Sequence, residues 1–141
     1  MINKLNQNIK ILNIGPSSEL SNINSISKEL NFKLPQDYIV FLQQKNDFEF
    51  SIGDVYIRIW GADGCIELNE EYDVAKQLPN SLAIGDDGSG GFLMYLAAQE
   101  GFGLYYCRMA DLDINEAKKI SNGLSDLLVN GEGIDVLNDL L

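Results

Sequence analysis

Histidine is absent from the 141-residue chain. That absence removes Ser-His-Asp and Cys-His catalysis, imidazole general-base chemistry and zinc sites that need a His ligand. Cysteine is scarce. Cys65 and Cys107 stand far apart, too few for a Cys-rich metal site, and they read as core thiols in a reducing compartment. No apolar run approaches the length that crosses a bilayer. The first eight residues, Met1 to Asn8, are polar and lack the apolar stretch of a signal peptide, so a cytoplasmic location is expected. Basic residues are also few: Lys and Arg number 10 against 21 Asp and Glu, a formal net charge of −11. That sign disfavours nucleic acid and anionic membrane surfaces and favours a cationic protein partner. Carboxylates, Lys, Arg and Tyr are the reactive groups that remain. With no recognisable nucleophile or metal motif among them, the sequence predicts no enzyme, no cofactor and no metal.

The length is that of one domain with one core. Residues 1–16 read as an N-terminal arm, with Ile9, Ile11, Leu12 and Ile14 able to make an edge strand, ahead of a single domain over 17–141. Leu20, Ile23, Ile26 and Leu30 recur at helical spacing behind a Ser17 or Ser18 cap. A second helix follows Pro35, with Asp37 in its first turn and Tyr38, Phe41 and Leu42 on one face. Near Phe48 the period changes to alternation. Phe48, Phe50 and Ile52 predict one strand, and Val55, Ile57 and Ile59 a second, with Gly53-Asp54 turning between them. That register puts Tyr56, Arg58 and Trp60 on the opposite face. Gly61-Ala62-Asp63-Gly64 reads as a turn, Cys65-Ile66-Glu67-Leu68 as a short strand and Asn69–Gln77 as a short acidic helix. Leu104–Arg108 is a further strand. Asp113 or Asn115 caps a helix running to about Val129, and residues 134–141 make a last helical turn or two. Tyr38, Phe41, Leu42, Ile57, Ile59, Ile84, Leu93 and Leu124 are expected in the core.

Ile84-Gly85-Asp86-Asp87-Gly88-Ser89-Gly90-Gly91 joins two apolar runs and predicts a hairpin. Its two adjacent carboxylates are expected in water at the edge of the sheet. It is not a phosphate loop, because GxGxxG spacing is missing and a strand-like run follows. Ser89 is not in a GxSxG elbow. Asp111–Asn122 fails as a calcium loop at its sixth and twelfth positions. Between Asp47 and Asp87, ten acidic residues face only Arg58 and Lys76, a net of −8.

The order of these features, with Leu34-Pro35-Gln36-Asp37-Tyr38, Phe41-Leu42, Trp60-Gly61 and Ile84 through Gly90, resembles the SUKH superfamily of fungal cell-wall regulators and bacterial toxin-immunity proteins. The resemblance implies an α+β fold, a mainly antiparallel sheet with N-terminal helices and a C-terminal helix packed on it. It also implies a binding protein: an immunity protein for a basic toxin, possibly a nuclease, of a polymorphic or contact-dependent system. The alternative is a regulatory or scaffolding module with an endogenous partner. A carboxylate hydrolase built on Asp63, Asp86 or Asp87 ranks last, since adjacent turn carboxylates are usually solvated. Combined with the acidic segment, the resemblance makes Asp54, Asp63, Glu70, Glu71, Asp86 and Asp87 candidate partner contacts, with Tyr56 and Trp60 as aromatic anchors where exposed.

Overall fold

The computed structural model describes residues 4–140. Along the chain run β1 (Ile9–Gly15), α1 (Leu20–Leu30), α2 (Gln36–Gln44), β2 (Asn46–Ile52), β3 (Val55–Ile59), α3 (Ala62–Glu71) and α4 (Val74–Gln77). β4 (Leu82–Asp86), β5 (Gly91–Ala98), β6 (Gly101–Arg108), β7 (Lys118–Ser121), α5 (Leu124–Leu128) and α6 (Ile134–Leu140) follow. Residues 1–3 of the expected arm and Leu141 of the expected last helix lie outside the described residues. The seven strands form one sheet in chain order, every neighbouring pair antiparallel. With helices on both sides of that order, the fold is α+β as the sequence predicted.

Both faces of the central strands are covered, so the chain has two hydrophobic layers. Alternate residues of β5 and β6 go to opposite layers. Leu93, Tyr95, Leu104 and Tyr106 join the larger one with Ile23, Ile26, Tyr38, Phe41 and Leu42 of α1 and α2 and Leu124, Leu127 and Leu128 of α5. Phe92, Met94, Leu96, Tyr105 and Cys107 join the smaller one with Trp60, Val74, Leu78 and Leu112. Burial on both faces is why residues 92–96 read as a continuous apolar run, whereas β3 alternates. All eight expected core residues are buried.

Three elements depart from the sequence reading. The expected turn and strand over Gly61–Leu68 are the body of α3. Ala62, Cys65 and Asn69 are its buried residues, spaced three and four apart, and a four-residue window was too short to separate the two periods. The expected acidic helix over Asn69–Gln77 is the end of α3 and the short α4, parted at Asp73, whose φ is 51°. The expected helix from Asp113 to Val129 is instead a turn, β7 and α5. Asp113 accepts the Asn115 amide at 2.9 Å and closes a local turn rather than capping a helix, and Lys118–Ser121 pairs with β6.

β3 and β4 share a short ladder, Arg58 with Asp86 and Ile59 with Gly85, extended by Trp60 N–H to the Ile84 carbonyl at 2.8 Å. Beyond it α3 takes the place of a strand. The buried Asn69 side chain accepts the Ala83 N–H at 3.0 Å and donates to the Ala83 carbonyl at 2.8 Å. A buried backbone amide left without a partner would cost about as much as a lost hydrogen bond. This junction brings the end of α3 against the turn between β4 and β5.

Candidate functional site

The turn after β4 is built on its own acids. Positive φ at Gly88 (73°) and Gly90 (96°) lets the chain reverse, and the turn amides then need acceptors. Asp86 Oδ1 accepts the Gly88 N–H at 2.8 Å. Asp87 Oδ1 accepts the N–H groups of Ser89 at 2.8 Å and Gly91 at 2.9 Å. The other oxygens face side chains of neighbouring strands. Trp60 Nε1 donates to Asp86 Oδ2 at 2.7 Å, and Arg58 donates to the same oxygen through Nη2 at 3.0 Å and Nε at 3.2 Å. Tyr106 donates to Asp87 Oδ2 at 2.7 Å. Burial, and then this bond, push the Tyr106 hydroxyl from its ordinary 10.0 up to about 12.

These partners correct the expectation of two solvated carboxylates at a sheet edge. β4 and β5 are interior strands, and Asp86 and Asp87 are 6% and 5% exposed. Burial of a charge requires pairing and hydrogen bonds, and both acids have them. Trp60 lies just past β3, buried in the smaller layer, edge-on to Phe92 with ring centroids 5.6 Å apart, so it is not an exposed anchor. Tyr56 is half-buried on β3 and donates to Glu49. Charge reversal of Asp86 and Asp87 therefore disturbs the fold rather than an outer rim.

The Leu-Pro-x-Asp-Tyr residues form a second junction. Asp37 sits at the start of α2, as the helix dipole favours, and also reaches across the core. It accepts Tyr95 Oη at 2.7 Å and the Ser125 N–H of α5 at 3.1 Å, while Tyr95 Oη accepts the Leu124 N–H at 2.8 Å. Tyr38 donates to the Trp60 carbonyl at 2.7 Å. The motif thus ties α2 to β5, α5 and the end of β3.

The remaining candidate acids are exposed and separate into two places. Asp54 lies in the tight turn between β2 and β3, next to Gly53, which approaches Asn138 of α6. Asp63, Glu70 and Glu71 lie on α3. Asp63 and Glu70, with Glu67, Ile66 and Asn22, Ser25 and Glu29 of α1, line an open groove of about 380 Å³. Glu67 escaped the sequence reading because its i, i+4, i+7 relation to Asp63 and Glu70 emerges only once α3 is known to start at Ala62. No Lys or Arg lines the groove, and among the described residues the one ion pair is Arg58–Asp86. Nor do three or more His, Cys, Asp or Glu side chains among the described residues gather closely enough to hold a metal ion.

Just past the end of α3 is a small notch of about 220 Å³ lined by Arg58, Leu68, Tyr72, Gly88, Phe92 and Met109, among others. Tyr72 on its rim is 38% exposed and packs edge-on against Phe92, centroids 5.3 Å apart. It is an exposed aromatic that the sequence reading, which named Tyr56 and Trp60 as anchors where exposed, did not single out. Asp86 holds Arg58 on the opposite wall. The arrangement is a row of unpaired carboxylates beside an aromatic notch, a chemistry that suits recognition of a cationic surface.

No curated protein matches the chain. A family model described as the SMI1 / KNR4 family (SUKH-1) matches residues 19–130, from just before α1 to just after α5 and through both junctions described above, and the chain belongs to that family.

Proposed function

We propose that this protein is an immunity protein that binds and neutralises a basic toxin domain of a bacterial polymorphic or contact-dependent toxin system. Its membership of the SUKH-1 family is consistent with such a role. The observation that carries the reading is the α1–α3 groove: Glu29, Asp63, Glu67 and Glu70 face solvent along one surface, with no Lys or Arg lining the groove and no ion pair to any of them among the described residues, in a chain of net charge −11. Like charges held together unpaired are unfavourable within the isolated chain, and a cationic partner relieves them. The contacts proposed are Asp63, Glu67, Glu70 and Glu71, with Tyr72 as anchor. Asp86 and Asp87 act indirectly, by holding Arg58 and the turn in place. The protein blocks the toxin by covering it and performs no chemistry of its own.

The test uses a cognate basic toxin domain, sought among the genes adjacent to this one. Co-expression is expected to rescue growth. In stopped-flow mixing, raised ionic strength should slow association by about tenfold while dissociation changes little. Joint Asp63→Lys, Glu67→Lys and Glu70→Lys substitution should have the same effect. Tyr72→Ala should instead speed dissociation by about tenfold or more, as loss of a central aromatic does. An association rate indifferent to salt and to the triple reversal would sink the electrostatic reading even where growth is rescued.

A further inference from the structure

The two ends of the sheet are finished differently. At β7, Gly133 packs so close that an added methyl would lie 2.3 Å from the Ile120 carbonyl oxygen, and Glu132 accepts the Asn122 N–H at 3.2 Å. The segment leading into α6 therefore covers that edge. At β1, among the described residues, no strand lies beyond Ile9–Gly15, and Ile11 and Leu12 are 45% and 50% exposed. An open edge presents a row of main-chain groups ready to pair, and proteins usually blunt it with charge, proline or a bulge. β1 has the bulge, at Leu12, but no proline and only one ionisable side chain, Lys10.

The residues of this edge are arranged symmetrically. Ile9-Lys10-Ile11-Leu12-Asn13-Ile14 reads apolar, polar, apolar, apolar, polar, apolar in either direction. Ile9, Ile11 and Ile14 pair with the buried Ile52, Phe50 and Phe48, while Lys10 and Asn13 pair with Ser51 and Glu49. Cross-strand partners share a face, so Ile9, Ile11 and Ile14 lie on the core face, Ile9 and Ile14 packing against the larger layer, and Lys10 and Asn13 lie on the other face.

We propose that β1 is a homodimerisation strand: two copies pair their β1 edges antiparallel about a two-fold axis between Ile11 and Leu12, joining two sheets into one. An isologous contact requires a surface that matches itself, and this strand does. The axis sets Ile9 opposite Ile14, Ile11 opposite Leu12 and Lys10 opposite Asn13 of the second copy. Asn13 Nδ2 donates to Glu49 at 3.1 Å. Lys10 is thereby brought two strand spacings, roughly 10 Å between Cα atoms, from the second copy's Glu49, within reach of two extended side chains. The strand carries no carboxylate, so two chains of net charge −11 meet where their mutual repulsion is locally relieved. The β1 edge also leaves the α1–α3 groove free for another partner.

Sedimentation equilibrium of the full chain from micromolar to millimolar concentration tests the pairing. A monomer–dimer equilibrium is expected, and Leu12→Glu should weaken it at least about tenfold with unchanged circular dichroism, since Leu12 is half-exposed. The register is tested separately by Lys10→Cys combined with Asn13→Cys. Within one chain these positions lie about 10 Å apart along the strand, beyond the roughly 7 Å that a disulfide spans, and the native cysteines are buried. Mild oxidation should then give a covalent dimer. A protein monomeric throughout, a dimer indifferent to Leu12→Glu, or a dimer in which the paired cysteines fail to join would each overturn the proposal.

Discussion

Asp86 accepts from a backbone amide, an indole and a guanidinium, and the magnitudes separate these partners. The Arg58 side chain is 42% exposed, so its pair with Asp86 is partly screened, and Arg58→Ala should cost less than about 1 kcal/mol. Trp60 is buried, and its indole N–H donates to Asp86. Asp86→Ala should therefore cost on the order of 3 kcal/mol, a lost charge-assisted bond together with a buried donor left unsatisfied. Urea denaturation of the two variants measures the difference, and equal losses would contradict this division. The sequence placed both acids correctly at the hairpin, although Asp86 is the last residue of β4 and only Asp87 lies in the turn itself. It was silent on their burial, because their partners Trp60 and Tyr106 are 26 and 19 residues away.

At the scale of elements, the β3–β4 junction depends on close backbone approach. A methyl at Gly85 would stand 2.4 Å from the Arg58 carbonyl oxygen and 3.1 Å from Ile59 Cδ1. The first of these atoms is fixed in the ladder, so Gly85→Ala should destabilise by about 1–3 kcal/mol, the usual cost of overpacking. Gly64 is the opposite case. It lies in α3, where a methyl meets the Trp60 Cβ at an ordinary 3.6 Å, so Gly64→Ala should stabilise by about 0.5–1 kcal/mol through helix propensity. Thermal melts of the two variants should shift in opposite directions, and a shared sign would mean that one of these local environments is misplaced. The α3 helix was misread for a related reason. It is short, its exposed face is almost wholly acidic, and its buried face includes Asn69, whose amide is satisfied by the Cys65 carbonyl one turn back and by both main-chain groups of Ala83 on β4.

Across the whole molecule the tyrosines couple stability to alkaline pH. Burial first, then a bonded carboxylate, raises Tyr106 and Tyr56 from 10.0 to about 12, and Tyr38 and Tyr95 are also raised, with burial again the largest cause. For a group whose folded pKa exceeds its unfolded value, the stabilisation is fully present below the unfolded pKa and is lost as pH rises through the folded one. Stability should thus be insensitive to these groups from pH 7 to about 9 and fall between about 10 and 12. Urea midpoints against pH, read beside tyrosinate absorbance, check this. A fall centred below pH 9 would point to other groups. What the sequence determined by itself were the properties that depend on local order: the α+β class, the eight core positions, the hairpin of glycines and aspartates and the sign of the charge, because periodicity, turn chemistry and composition act over a few residues. What the tertiary structure decided was which acids are free. Asp63, Glu67 and Glu70 stay in water because α3 places them on its outer face, whereas Asp86 and Asp87 are buried because distant strands supply the donors that make burial of a carboxylate tolerable.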